Sequence, residues 1–189
     1  MQLSLLTTAL LATAASAVEF RFTNRCHYTI NLRGPGGAFL CDIAPGQTKG
    51  NNCGANVSPG SHSLFKHTAS DQANLLEYSV TGSTVWYDMS NVRPGSDHCT
   101  SFDDCARHTG NKSGFNVPVD VIPTRHNNGR NCRKLHDVAP NSPDAFLFPG
   151  DNLKNHDCPI DEVFDVVYCP GGRLLRRLRI PPSDRLAHV

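Results

Sequence analysis

The chain has 189 residues, a formal net charge of +1 and 7% aromatic residues. That length suits one domain. The balanced charge excludes a general electrostatic partner such as nucleic acid, and nothing beyond residue 17 has the length and apolarity of a membrane helix. Residues 3–14 form an apolar stretch too short to span a bilayer, and it ends in Ala15-Ser16-Ala17, an A-x-A-like cleavage site. The expected leader is therefore 1–17, with a soluble, secreted mature chain starting at Val18.

All eight cysteines (26, 41, 53, 99, 105, 132, 158 and 169) lie in the mature part, an even number suited to an oxidising compartment. They permit about a hundred pairings, so counting alone does not choose among them. No C-x-x-C or clustered Cys/His spacing occurs, so neither a zinc site nor a cofactor is expected. The nine histidines are scattered and read as surface or loop residues.

Glu19 to Thr23 alternate with period two and predict a strand, and Tyr28 to Leu32 predict a second. Gly34-Pro35-Gly36-Gly37 is a turn cluster. Cys41 to Gly60 reads as loop, punctuated by Pro45-Gly46 and Pro59-Gly60. Asn56-Val57-Ser58 and Asn111-Lys112-Ser113 are glycosylation sequons at Asn56 and Asn111, with Pro59 making the first the poorer acceptor. Ser63 to Lys66, Val117 to Ile122 and Val163 to Tyr168 predict further short strands, and no helical periodicity competes. Short strands, frequent turns and disulfides together indicate an all-β sandwich or partly closed barrel over 18–170, with little helix. Residues 171–189 read as a basic, disordered tail, since a short helical segment cut off by Pro181-Pro182 is marginal in water.

The most informative stretch is LLEYSVTGSTVWYDMSNV, from Leu75 to Val92. Gly82-Ser83 suits a two-residue type II′ hairpin turn. Pairing outward from it sets Val80 opposite Val85, Tyr78 opposite Tyr87 and Leu76 opposite Met89, which gathers the apolar side chains on one face. The other face carries Ser79 opposite Trp86 and Glu77 opposite Asp88. Agreement between turn and pattern pins the register. Opposed residues have Cβ atoms roughly 4.5–5.5 Å apart, where like charges destabilise a sheet. The two carboxylates must repel, share a proton or serve a ligand, and repulsion raises the pKa of one of them.

The chain resembles the thaumatin-like (pathogenesis-related group 5) family in its small form. The matching pieces are Asn24-Arg25-Cys26 with Tyr28-Thr29, Leu75 to Ser79, Tyr87 to Asn91, Gly114 to Val119, Pro123-Thr124, Pro143 to Phe146, and Tyr168-Cys169-Pro170. They run in family order from Arg25 to Pro170. The resemblance implies a flattened β-sandwich with stapled termini, Cys26 pairing with Cys169 and Cys132 with Cys158. A further family bridge lacks both partners here, which leaves Cys41 with Cys53 and Cys99 with Cys105.

The family also implies an acidic cleft of one arginine and four acidic residues, associated with β-1,3-glucan. Glu77, Asp88 and Asp151 match three of these five. Asp97, Asp103 and Asp104 are candidates for the remaining aspartate. The arginine expected before Glu77 is absent, with only Lys66 or His67 nearby.

The expected function is a secreted, monomeric defence or antifungal-type glycoprotein. It binds cell-wall β-1,3-glucan through that cleft, with Trp86 and Ser79 beside the acids, and is at most weakly hydrolytic. One alternative is an endo-β-1,3-glucanase with Glu77 as general acid and Asp88 as base or nucleophile. Its stereochemistry would follow carboxyl separation, about 5–5.5 Å for retention and about 6.5–9.5 Å for inversion. The other alternative is a secreted structural or signalling module without glucan activity.

Overall fold

The computed structural model describes residues 18–172. The leader expected at 1–17 and the tail beyond Gly172 lie outside the described residues. In chain order the strands are β1 (Glu19–Asn24), β2 (Ile30–Arg33), β3 (Phe39–Ile43), β4 (Thr48–Lys49), β5 (His62–His67) and β6 (Leu75–Thr81). They continue with β7 (Thr84–Ser90), β8 (Val119–Pro123), β9 (Leu135–Asp137), β10 (Ala145–Phe146), β11 (His156–Pro159) and β12 (Val163–Tyr168). One sheet runs β4-β1-β12-β8-β9, and the other runs β10-β7-β6-β5-β2-β3 with β11 also on β7.

The two sheets close over one aromatic core. Phe20 and Phe22 of β1 and Phe164 of β12 face Phe65, Tyr78 and Tyr87 from the other sheet, all of them buried. The Phe20 ring lies 5.0 Å from Phe164 and 5.3 Å from both Phe65 and Tyr78, so it spans the layers. Each such side chain contributes about 1.5–3 kcal/mol by leaving water. β1 and β12 pair in parallel from Glu19↔Val163 to Asn24↔Tyr168. The Cys26–Cys169 disulfide then ties the chain just past both strands. Cys41–Cys53, Cys99–Cys105 and Cys132–Cys158 complete four bridges.

The hairpin of β6 and β7 has the expected register in every pair, from Leu76↔Met89 to Thr81↔Thr84. Gly82 adopts φ 59°, the left-handed value that the first position of a II′ turn demands. Elsewhere the sequence reading needs correction. Cys41 to Gly60 is not all loop, because it holds the end of β3 and the short β4. β9, β10 and β11 are two to four residues long, too short for alternation to register. A helix, α1 (Phe102–His108), follows Cys99, its Ser101 cap accepting from the Asp104 amide. Asp103 and Asp104 stand in its first turn and Arg107 and His108 in its last, the arrangement the helix dipole favours.

Two buried carboxylates fix the loops. Glu162 accepts from the amides of Thr124, Arg125, His126 and Val163 at 2.7–2.8 Å. Asp137 accepts from the side-chain amides of Asn74 at 2.7 Å and Asn91 at 2.8 Å. Gly114 passes so close to Asn91 that a Cβ there would overlap the Asn91 carbonyl. The glycine opening the GFNVPV run is thus required by close backbone approach.

Candidate functional site

The outward face of the larger sheet is built row by row from strand alternation. Phe65 points into the core, so His62, Leu64 and Lys66 of β5 point out. Register then aligns three rows. The first is Asp157, Trp86, Ser79 and His62. The second is Asp88, Glu77 and Leu64. The third is Phe146, Ser90, Leu75, Lys66, Arg33 and Phe39.

A hollow of about 540 Å³ covers the first two rows, lined by Glu77, Ser79, Trp86, Asp88, His62, Leu64, Pro35 and Asn155 among others. A second hollow of about 520 Å³ lies over the third row from Phe146 to Lys66, with Asp71, Leu75, Ser90 and Pro149 in its lining and Arg33 and Phe39 beyond it. Both are also lined by Leu64 and Glu77, so the two adjoin into one groove with Glu77 at its waist. Trp86 is 45% exposed, which leaves much of the indole available to a ligand.

The carboxylates behave as an unequal pair. Burial and the facing Glu77 carboxylate push Asp88 up to about 7. Burial also raises Glu77, opposed by a hydrogen bond from the Ser90 hydroxyl. Asp88 Oδ1 is buried and has no hydrogen-bond partner among the described residues. The facing pair therefore retains a proton to higher pH than two separate carboxyls would. In the hydrolytic alternative of the sequence reading, Glu77 is the acid and Asp88 the base or nucleophile. Register alone predicts repulsion but not which member is more deeply desolvated.

Glu77, Asp88, Trp86 and Ser79 thus line one hollow. Asp151 does not join them. It begins the 3₁₀ turn at Asn152–Lys154, and its carboxylate accepts from the Leu147 amide at 3.3 Å. Asp97, Asp103 and Asp104 line neither hollow, and Asp104 is held by the Thr100 amide and Arg107. Of the two basic candidates, Lys66 lines the second hollow. His67 instead stacks on Tyr28, and its Nδ1 accepts from the Asn31 amide. Asn56 and Asn111 are both exposed. His156 departs from the surface reading of the histidines, being buried in β11 beside Tyr87.

Sequence reasoning missed Asp71, Asn155, Leu64 and His62 as groove residues. Alternation about Phe65 was a signal for Leu64 and His62, but nothing in loop 68–74 fixes the pairing of β5 with β6. Among the described residues, one cluster has metal-ligand spacing: Cys132, Cys158 and Glu162. Its sulfurs are bonded to each other and its carboxylate is taken up by backbone amides. The groove itself brings together two facing carboxyls of raised pKa and an exposed indole, which can exchange a proton beside an apolar face.

No family model matches the chain. Two solved structures are similar to the chain, the protein elicitor MoHrip2 from Magnaporthe oryzae and the thaumatin-like xylanase inhibitor TLXI. MoHrip2 is 16% identical at a TM-score of 0.46, covering 81% of this chain and 99% of its own. TLXI is 14% identical at 0.47, covering 80% and 99%. A thaumatin-like protein of Oryza sativa subsp. japonica is 30% identical over 190 residues, 87% of this chain and 92% of its own length. With that identity sustained over nearly the whole of both sequences, the chain belongs to the thaumatin-like family.

Proposed function

We propose that this protein is a secreted defence or antifungal-type protein that binds β-1,3-glucan along the groove, with at most weak hydrolysis. The observation that carries the reading is the opposed Glu77–Asp88 pair beside a half-exposed Trp86, in a groove that continues past Glu77. The indole supplies an apolar face for a sugar ring, while ionised Glu77 accepts from sugar hydroxyls. Adjoining hollows suit a polymer rather than a single sugar. Four disulfides suit an extracellular, oxidising setting. The protein acts as a monomer carrying glycan at Asn111 and, less efficiently, at Asn56.

A second reading, an endo-glucanase, draws on Asp88 being pushed up to about 7. There Asp88 donates a proton to the glycosidic oxygen and Glu77 serves as base or nucleophile. Asp151, tied to the Leu147 amide, has no part in it. Against efficient turnover stand the absent arginine and the absence of a third acid in the lining of the first hollow.

The test incubates the full secreted chain, disulfides intact, with insoluble β-1,3-glucan. Pull-down and reducing-end release are scored for wild type, Glu77→Gln and Asp88→Asn. Binding without release is the expected result. Release lost in Asp88→Asn makes the protein a glucanase, and no binding by wild type overturns the glucan reading.

A further inference from the structure

Lys66 of β5 stands directly opposite Arg33 of β2 on the groove-bearing face. Like charges in opposed positions destabilise a sheet. Among the described residues neither cation is offset by an ion pair. Lys66 Nζ donates to the Ser70 carbonyl at 2.8 Å. Arg33 donates Nε to Asn31 Oδ1 at 2.6 Å and an Nη to the Gly37 carbonyl at 3.3 Å. Asp42 reaches Arg33 only through the Asn31 amide. An ammonium carries three N–H donors and a guanidinium five, so both retain donors for another acceptor. The Arg33 guanidinium also lies 5.0 Å from the centre of the Phe39 ring, which is 55% exposed and holds its plane.

We propose that Lys66 and Arg33 form an anion subsite for a carboxylate carried on a sugar ring of an acidic glycan that runs from the groove along the same sheet face. The inference rests on the glycan reading of the groove and specifies its substrate class. Along the register, carboxyls stand at Asp88 and Glu77 and the opposed cations at Lys66 and Arg33, with Asp71 and Glu77 sharing the second hollow with Lys66. Hydroxyl groups of the glycan donate to Glu77. A ring carboxylate is repelled there and accepts from Lys66 and Arg33, where an oxyanion forms charge-assisted hydrogen bonds. Position along the groove is thereby set by charge.

The experiment compares a soluble β-1,3-glucan oligomer with the same oligomer oxidised at C6 to carboxylates, by calorimetry on the full secreted chain. The readout is the ratio of the two affinities within each variant, so a general loss of groove binding cancels. We expect wild type to favour the oxidised oligomer about tenfold at low ionic strength. That advantage shrinks as salt is raised. Arg33→Gln and Lys66→Gln bring the ratio towards one, whereas Lys66→Arg preserves it. Salt titration of wild type supplies a readout that needs no variant.

A wild-type ratio near one, with neutral oligomer bound, overturns the subsite and leaves the glucan reading standing. Binding of the oxidised oligomer alone, sensitive to Arg33, supports the subsite and overturns the neutral-glucan reading. A ratio unchanged by both glutamine variants overturns the subsite. So does competition by free glucuronate as strong as by the oxidised oligomer, since the site would then take a free anion. Failure of both oligomers to bind overturns both readings.

Discussion

Asp88 stands directly across from Glu77 on adjacent strands, and its Oδ1 is buried without a hydrogen-bond partner among the described residues. A carboxyl in that setting is easier to bury protonated than ionised. Everything distinctive about the groove's pH behaviour follows from this pair.

Burial and the facing Glu77 push Asp88 up to about 7 in the folded state, whereas an unfolded aspartate releases its proton near 3.8. Because the folded pKa is raised, the contribution to stability is full at low pH and is lost as pH rises through that window. Asp88→Asn removes the dependence. Relative to wild type, the variant should gain about 2–4 kcal/mol between about pH 4 and about pH 7.5. Urea unfolding of both proteins at the two pH values checks it, and parallel curves would refute the assignment.

Trp86 is anchored through its backbone pairs with Ser79 and Asp157, while its ring is 45% exposed. Trp86→Ala should therefore leave stability within about 0.5 kcal/mol. It should weaken retention on β-1,3-glucan about five- to tenfold through lost stacking. Affinity electrophoresis and thermal unfolding on the same sample separate the two effects.

Glu162 is fully buried and receives four backbone amides. Glu162→Gln turns an N–H group towards donors that need an acceptor, at a cost of about 3 kcal/mol. The loss should appear as a lowered unfolding midpoint. Hydrogen exchange should show it as faster opening of 124–126, with the β6–β7 hairpin unaffected.

The Cys26–Cys169 bridge spans 143 residues and Cys99–Cys105 spans 6. In the chain-entropy model, removing the first as a double alanine variant costs about 5 kcal/mol and removing the second about 2 kcal/mol. Denaturant midpoints of the two variants test the ordering.

The hairpin and the site it carries were legible because a two-residue turn fixes register and alternation fixes faces. The family resemblance pointed to Cys26–Cys169 and Cys132–Cys158, and the two short-range pairs were what remained. Lys66 and Asp71 were harder to place, because β5 joins β6 through a loop whose sequence does not dictate pairing. Asp151 sits five residues beyond Phe146 as the family spacing requires, yet its carboxylate is turned to its own loop, at the Leu147 amide. Glu162 and Asp137 left no sequence signal, since their partners are amides from distant segments. α1 escaped because its cap, charges and disulfide define it rather than any apolar period.

β12 lies between β1 and β8, at the centre of its sheet, although it is the last strand among the described residues. Phe20 and Phe22, near the start of the described chain, therefore wait for Phe164 and Val166 before their side of the core exists. That sheet cannot assemble progressively as the polypeptide emerges. A chain halted before Val163 would leave its first strand unsheltered, with the partner of Cys26 not yet made. Folding of this half waits until β12 has been made, and such long-range pairing sets a slow pace for the whole domain.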